Sequence, residues 1–224
     1  MIRLHDVTKT FATAGRRKVV LDRVSAEFPK NRNLALIGRN GAGKSTLLRM
    51  IGGSIEPDSG EIERQGRISW PIGLRTIFQG ALTGAQNARF IARIYAADTD
   101  DMVEKVAAFA DLGPDLHEPT GNYSSGMKAR LAFACSIAIP FDVYLVDEIT
   151  AVGDAAFRKR CNQAFRDLKQ NKSLIMVSHS DGSLRAHCDM GVVIERGRLT
   201  FFEEVEDALE VHAANMNAPQ NHRR

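Results

Sequence analysis

At 224 residues the chain has room for one domain carrying an inserted subdomain. Its 44% hydrophobic and 25% charged content is that of an ordinary globular protein, no run approaches the roughly 20 apolar residues of a membrane span, and Met1-Ile2-Arg3-Leu4-His5-Asp6 lacks the pattern of a secretory signal. On the last two grounds the chain is expected to stay in the cytosol unless a partner holds it at a membrane; with 30 basic against 27 acidic residues the net charge is +3, too weak a balance to argue for a nucleic acid partner.

Short β-type runs separated by turns open the chain, at residues 2–7, 19–28 and 34–37. Arg16-Arg17-Lys18, like Arg223-Arg224 at the far end, reads as solvated loop or tail in preference to a contact with anionic lipid. Leu34-Ala35-Leu36-Ile37 is a continuous apolar run, as expected of a buried strand. It ends at the first residue of Gly38-Arg39-Asn40-Gly41-Ala42-Gly43-Lys44-Ser45, a complete G-x-x-x-x-G-K-S loop. The glycines let backbone N–H groups turn inward around phosphate oxygens. Lys44 brings a charge toward the β- and γ-phosphates, and Ser45 offers a hydroxyl to Mg²⁺. A helix starting near Lys44 points its positive dipole end at the same place. It stops at Gly52-Gly53, Pro57-Asp58-Ser59-Gly60 marks a turn, and residues 61–69 look like more strand.

After Gln79 the pattern changes. Residues 84–96 and 101–112 have apolar residues at helical spacing, Gly113-Pro114 breaks the second run, and residues 125–139 form a third helix closed by Pro140. Residues 80–139 therefore read as a helical insertion into an α/β core made of residues 1–79 and 140–212. The core resumes with Val143-Tyr144-Leu145-Val146, an apolar strand ending in Asp147-Glu148. A helix over residues 155–169 leads to a strand at 173–177 and then His179. Strands at 191–194 and 199–202 flank a turn at Arg196-Gly197. A short acidic helix at 203–212 precedes a polar tail, 213–224. Cys135, Cys161 and Cys188 show neither a C-x-x-C nor a metal-site spacing and read as reduced thiols.

Asp147 is expected at the end of a strand lying beside the P-loop strand, where it can hold Mg²⁺ through water opposite Ser45. Glu148 is placed to act as general base on the attacking water; the plain alternative is a solvent-facing pair. His179, at the end of a later strand, can hydrogen-bond the γ-phosphate and keep Glu148 and water in line, or it is merely a loop residue. Gln79 can reach Mg²⁺ or water with its amide, or serve as a polar hinge. Ser124-Ser125-Gly126 is an ordinary N-cap by itself, yet a helix N-terminus binds phosphate well. Because it belongs to the insertion, it becomes useful if a second copy supplies it in trans, with Asp154 near the interface. Phe11 can stack on adenine or be a core aromatic; Trp70 reads as packing.

In this order and spacing the motifs resemble those of ATP-binding cassette ATPases over nearly the whole chain: a P-loop, a glutamine loop at Gln79, a signature motif at residues 123–127, a Walker B strand with Glu148, an aspartate loop at Asp154 and a switch histidine at His179. The resemblance implies a P-loop, RecA-like α/β core with an N-terminal antiparallel β subdomain and an inserted helical subdomain, and Asn40, Gly41, Ala42, Gly43, Lys44, Ser45 and Thr46 around ATP. The usual signature Leu-Ser-Gly-Gly-Gln is Tyr123-Ser124-Ser125-Gly126-Met127 here, and Ile149 replaces the usual proline. Ile68-Ser69-Trp70-Pro71-Ile72-Gly73, Phe78-Gln79-Gly80-Ala81-Leu82-Thr83-Gly84 and Thr150-Ala151-Val152-Gly153-Asp154 look like the ATPase subunit of Gram-negative capsular polysaccharide exporters.

That resemblance implies ATP and Mg²⁺ as cofactors and a homodimer on the cytoplasmic face of the inner membrane. It further implies two transmembrane permease subunits, a lipid-linked polysaccharide cargo, and periplasmic and outer-membrane components beyond. The rivals are an O-antigen or teichoic acid exporter, a soluble ATPase switch acting on ribosomes or DNA, and a non-hydrolytic nucleotide-binding subunit. The chain lacks the tandem cassettes, coiled coils or basic extensions usual in soluble switches.

Overall fold

The computed structural model describes residues 1–13, 16–72, 78–147 and 154–217. The chain opens with β1 (Ile2–Thr13), β2 (Arg16–Phe28) and β3 (Asn33–Ile37), followed by α1 (Lys44–Ile51) and β4 (Ser59–Arg64). Three helices form the insertion: α2 (Gly84–Ile94), α3 (Thr99–Ala110) and α4 (Ser125–Ala138), with 3₁₀ turns at Gly113–His117 and Thr120–Asn122 between the last two. Then come β5 (Val143–Asp147), α5 (Ala155–Asn171), β6 (Ser173–Val177), α6 (Asp181–His187), β7 (Met190–Glu195), β8 (Arg198–Phe202) and α7 (Val205–Asn217).

Two sheets result. The smaller is antiparallel with order β2-β1-β4, and the larger has order β5-β6-β3-β7-β8, parallel except for β8 at its edge. Alternation along the parallel strands divides their side chains between two cores. Ala35, Ile37, Tyr144, Val146, Leu174 and Met176 face the helical insertion with α5, α6 and α7. Leu34, Leu36, Val143, Leu145, Ile175 and Val177 face α1 and the antiparallel sheet. With both faces covered, these strands must be apolar throughout, which is why they read as continuous runs.

Helix ends follow local chemistry. Thr83 and Gln86 close a capping box on α2, while Asp98, Ser124 and Asp154 each accept a backbone N–H as N-caps of α3, α4 and α5. Arg196 and Gly197 both have positive φ (49° and 78°), the combination a two-residue I′ turn between β7 and β8 requires. Trp70 packs against Tyr95 and Phe141 at 5.2 and 5.5 Å between ring centroids, in keeping with a packing role. All three cysteines are buried; burial pushes the Cys161 and Cys188 thiols up to about 12 and Cys135 higher still, so none is a ready nucleophile.

Four sequence expectations change. The strand expected over 61–69 is two pieces. β4 ends at Arg64, Gly66 turns the chain at φ 91°, and Ile68 and Ile72 bridge to Val143 and Val146 of the other sheet. The last helix does not give way to a tail at residue 213. It runs to Asn217, where Asn215 donates to the Glu195 carboxylate at 2.7 Å. The seven-residue α6 was not anticipated: Asp181-Gly182-Ser183 hides its period, and burial of Leu184 and His187 holds it in place. Finally, β5 is not beside the P-loop strand, because β6 pairs with both and lies between them.

The seat of α7 gives a direct test. A Cβ on Gly191 of β7 would sit 2.1 Å from the Ala208 Cβ, so the helix can approach only a glycine there. Gly191→Ala is expected to lower unfolding free energy by about 1–3 kcal/mol, read from the urea midpoint. An unchanged midpoint would show that α7 shifts at no cost.

Candidate nucleotide site

The site forms where β3 runs out. Gly38 has no room for a side chain, since a Cβ would meet the Ile194 carbonyl oxygen at 2.6 Å. Gly43, at φ 112°, is tighter still: a Cβ would approach Val20 Cγ1 to 2.2 Å. Gly41 is also left-handed, at φ 76°. The loop thus bends so that its amides converge ahead of α1, whose first residue is Lys44. Lys44 Nζ donates to the carbonyls of Gly38 (2.6 Å) and Arg39 (3.1 Å), which holds the ammonium over the loop.

The Ser45 hydroxyl donates to Asp147 Oδ1 at 3.2 Å, although the two residues are far apart in sequence. This contact joins the start of α1 to the end of β5. His179, two residues beyond β6, and Val177 complete that wall, so the interposed strand brings the histidine between the P-loop and Asp147. A cavity of about 250 Å³ lies here. Asn40, Gly41, Gly43, Lys44, Ser45 and Thr46 line its P-loop side, and Phe11, Lys18 and Val20 of the antiparallel sheet line it as well.

Phe11 of β1 pairs directly with Lys18 of β2, lines the cavity and is 39% exposed. Lys9, across an irregularity in the strand at Lys9-Thr10, places its ammonium 5.6 Å from the Phe11 ring centre. Lys9 is held in turn by Asp58, whose carboxyl also accepts from the Thr10 amide and hydroxyl; these bonds, that to Lys9 foremost, draw its pKa down to about 2.

Nine expected residues therefore meet in one place: Phe11, Asn40, Gly41, Gly43, Lys44, Ser45, Thr46, Asp147 and His179. Ala42 belongs to the same loop without lining the cavity, its amide donating to the Arg39 carbonyl at 3.0 Å. Gln79, Ser124 and Gly126 are not brought to it. Gln79 is bound through its backbone to Asn87, and Ser124 caps α4, both on the side of the helical insertion. Glu148 lies outside the described residues. Asp154 accepts hydrogen bonds from the Phe157 amide and from Arg130 of α4, which ties the start of α5 to the helix behind the signature motif.

Two contributors escaped the sequence. Lys18 reads there as part of a solvated basic cluster, yet its Nζ lies 3.1 Å from where a Cβ on Gly41 would be. The C-terminal helix also reaches the site: Arg39 Nη1 lies 3.5 Å from the Asn215 carbonyl oxygen, and His212 has its pKa lowered by burial first and then by the charge of Lys44. No local motif marks either contact, since each depends on which strand or helix folds over the loop.

Comparison with known proteins agrees with this geometry. Residues 21–151 match the family model of the ABC transporter. The chain is 47% identical over 212 residues to the polysialic acid transport ATP-binding protein KpsT of Escherichia coli, covering 93% of this chain and 97% of that protein. It is 44% identical to the ATP-binding protein BexA of Haemophilus influenzae, covering 95% and 98% respectively. Among solved structures, a dimeric post-hydrolysis state of the ATP-binding cassette MJ0796 bound to ADP and Pi superposes with a TM-score of 0.77 at 20% identity, covering 92% of this chain and 99% of that one. By family model, full-length relatives and fold together, the chain is a member of the ABC transporter family.

Proposed function

We propose that this chain is the ATP-hydrolysing subunit of an inner-membrane exporter of lipid-linked capsular polysaccharide, working as a pair with two membrane-spanning partners. The observation that carries the nucleotide chemistry is the Ser45–Asp147 contact at the foot of a P-loop. Those two hard oxygen donors suit Mg²⁺, which keeps several waters and takes its remaining ligands from phosphates. When bound, the ion neutralises charge developing on the β- and γ-phosphate oxygens.

The protein's own residues do the rest. Loop amides and Lys44 orient the triphosphate, and Phe11 stacks on the base. Glu148 takes a proton from water as the water oxygen bonds to the γ-phosphorus; the bond from that phosphorus to the β,γ-bridging oxygen breaks, leaving ADP and phosphate. His179 holds the γ-phosphate in line. Ser124 and Gly126 of a second copy close over the nucleotide, so that binding draws two copies together head to tail and hydrolysis lets them part.

Capsule export is favoured among glycans by likeness to the capsule polysaccharide export ATP-binding protein CtrD of Neisseria meningitidis serogroup B, 44% identical over 95% of this chain and 98% of that protein. No helix among the described residues is long and apolar enough to cross a membrane. In the proposed assembly the transport path belongs to the membrane-spanning partners, and this chain sits on their cytoplasmic face. Phe90 and Ile94 are 52% and 61% exposed and four residues apart on α2, an apolar strip suited to a partner helix.

The test is co-purification from detergent-solubilised native membranes with ATP, followed by mass spectrometry of proteins and glycolipids. A multispanning protein together with an acidic glycolipid is expected. Replacing Phe90 and Ile94 by Asp should cut that recovery at least about tenfold without weakening ATP binding. Recovery of O-antigen or teichoic acid would reassign the cargo, and ribosomal or DNA-bound material alone would overturn the transport function.

A further inference from the structure

Asn87 and Thr120 are both 1% exposed, and both are polar. Asn87 lies in the first turn of α2, and its side chain is bonded at both oxygen and nitrogen. Its Oδ1 accepts from the Gln79 amide at 2.9 Å, and its Nδ2 faces the carbonyls of Gln79 (3.1 Å), Leu82 (3.2 Å) and Thr83 (3.0 Å) and the hydroxyl of Thr120 (3.3 Å). Thr120 in turn donates its hydroxyl to the same Gln79 carbonyl at 3.0 Å. The backbone of one residue, Gln79, is thus held at its N–H by Asn87 and at its carbonyl by both buried side chains.

The surrounding backbone continues the same join. The Thr120 amide donates to the Leu82 carbonyl at 2.9 Å and the Gly121 amide to the Gly80 carbonyl at 2.8 Å, while Thr83 bridges to Pro119. A Cβ on Gly121 would sit 3.1 Å from the Gly80 carbonyl oxygen, so close an approach favours glycine. From Thr120 the chain runs straight into the signature motif. The Tyr123 amide donates back to the Thr120 carbonyl at 3.2 Å, and its buried hydroxyl donates to the Asp115 carbonyl. A Cβ on Gly84 would lie 2.5 Å from that hydroxyl, so the N-terminus of α2 also rests on Tyr123. The next residue, Ser124, caps α4.

We infer that Asn87 and Thr120 are positioning residues that make the Gln79 segment and the 119–124 segment one body, so that a displacement of Gln79 is carried to Ser124 and Gly126. This rests on the proposed roles of those three residues. Gln79 would respond to the γ-phosphate bound by its own copy, while Ser124 and Gly126 serve the nucleotide of the second copy. The clamp therefore couples the two nucleotide sites through the interior of each chain, and not only across the dimer interface. A buried amide bonded at both its oxygen and its nitrogen suits the task, because any slip of one segment against the other leaves buried polar groups unpaired.

Hydrogen exchange on the full chain tests this, at a dilution where light scattering gives a monomer, with and without the non-hydrolysable analogue AMP-PNP and Mg²⁺. In the wild type, nucleotide is expected to slow exchange at residues 40–46 by about tenfold and at residues 121–127 by about fivefold. Thr120→Val keeps the shape and loses the hydroxyl; it should retain the first effect and reduce the second below about twofold. Thr120→Ser should restore both. Persistent slowing at 121–127 in Thr120→Val, or none there in the wild type despite slowing at 40–46, overturns the coupling and leaves the nucleotide site standing. Failure of Thr120→Ser to restore it would make Thr120 a packing residue and also overturn the coupling. No slowing at 40–46 would remove the nucleotide site and the coupling with it.

Discussion

Glu148→Gln is expected to lower ATP turnover by about 10³-fold while leaving ATP bound, because a general base contributes on the order of 10²–10⁴ to rate. Asp147, immediately before it, ends β5 and accepts from Ser45. Asp147 is therefore set in the cavity wall by a strand paired along its length with β6. Glutamine keeps the size and the hydrogen-bonding reach of the glutamate but cannot accept the water's proton. Binding energy then continues to draw two copies together with no step to release them. The signature of this outcome is a species of twice the mass on size exclusion with ATP and Mg²⁺, retaining nucleotide through the column, beside a phosphate-release assay near background. Wild-type turnover would remove Glu148 from the role of base.

Lys44→Ala should fail earlier, at binding. The ammonium is held at the loop by the Gly38 and Arg39 carbonyls, so it is already placed over the point where the α1 amides converge. Alanine removes a charge-assisted contact to phosphate worth roughly 1.5–3 kcal/mol, which corresponds to about a tenfold to hundredfold loss of ATP affinity. It also leaves two loop carbonyls without that donor. Titration with a fluorescent ATP analogue reads the loss directly, and phosphate release should be at background. The pair of variants separates binding from chemistry: one binds and does not turn over, the other does neither. Unchanged nucleotide affinity in Lys44→Ala would mean that the loop cradles something other than phosphate.

The residues that were legible in the sequence are those whose roles are set by the few positions on either side. The helix from Lys44 to Ile51 came out with both ends correct because a glycine-rich loop starts it and Gly52-Gly53 stops it. Asp147 and His179 were legible because each follows an apolar strand, and strand ends gather on one side of a parallel sheet. What was missed depends on partners distant in sequence. The order of strands is invisible to periodicity, so β6 between β3 and β5 could not be read, although it is what puts His179 next to the P-loop. Lys18 looked like any exposed base until the pairing of β1 with β2 set it across from Phe11. Asn87 beside Gln86, and Thr120 between Pro119 and Gly121, look like any polar residue of a helix start or a turn, and only their burial against Gln79 gives them meaning.

The central position of β3 has a consequence for how the chain is made. Its hydrogen-bonded neighbours are Leu174 to Met176 on one side and Met190 to Val193 on the other, all synthesised long after the P-loop itself has left the ribosome. Until they arrive, the strand that carries Gly38 has both edges open and nothing to fix it in place. The antiparallel sheet, assembled from the first 64 residues, can form early; the nucleotide site cannot. A nascent or truncated chain therefore exposes a sticky apolar strand without acquiring the ability to consume ATP. The nucleotide site therefore assembles only once residues 174–193 have been made, and until then the edges of β3 stay open to other chains.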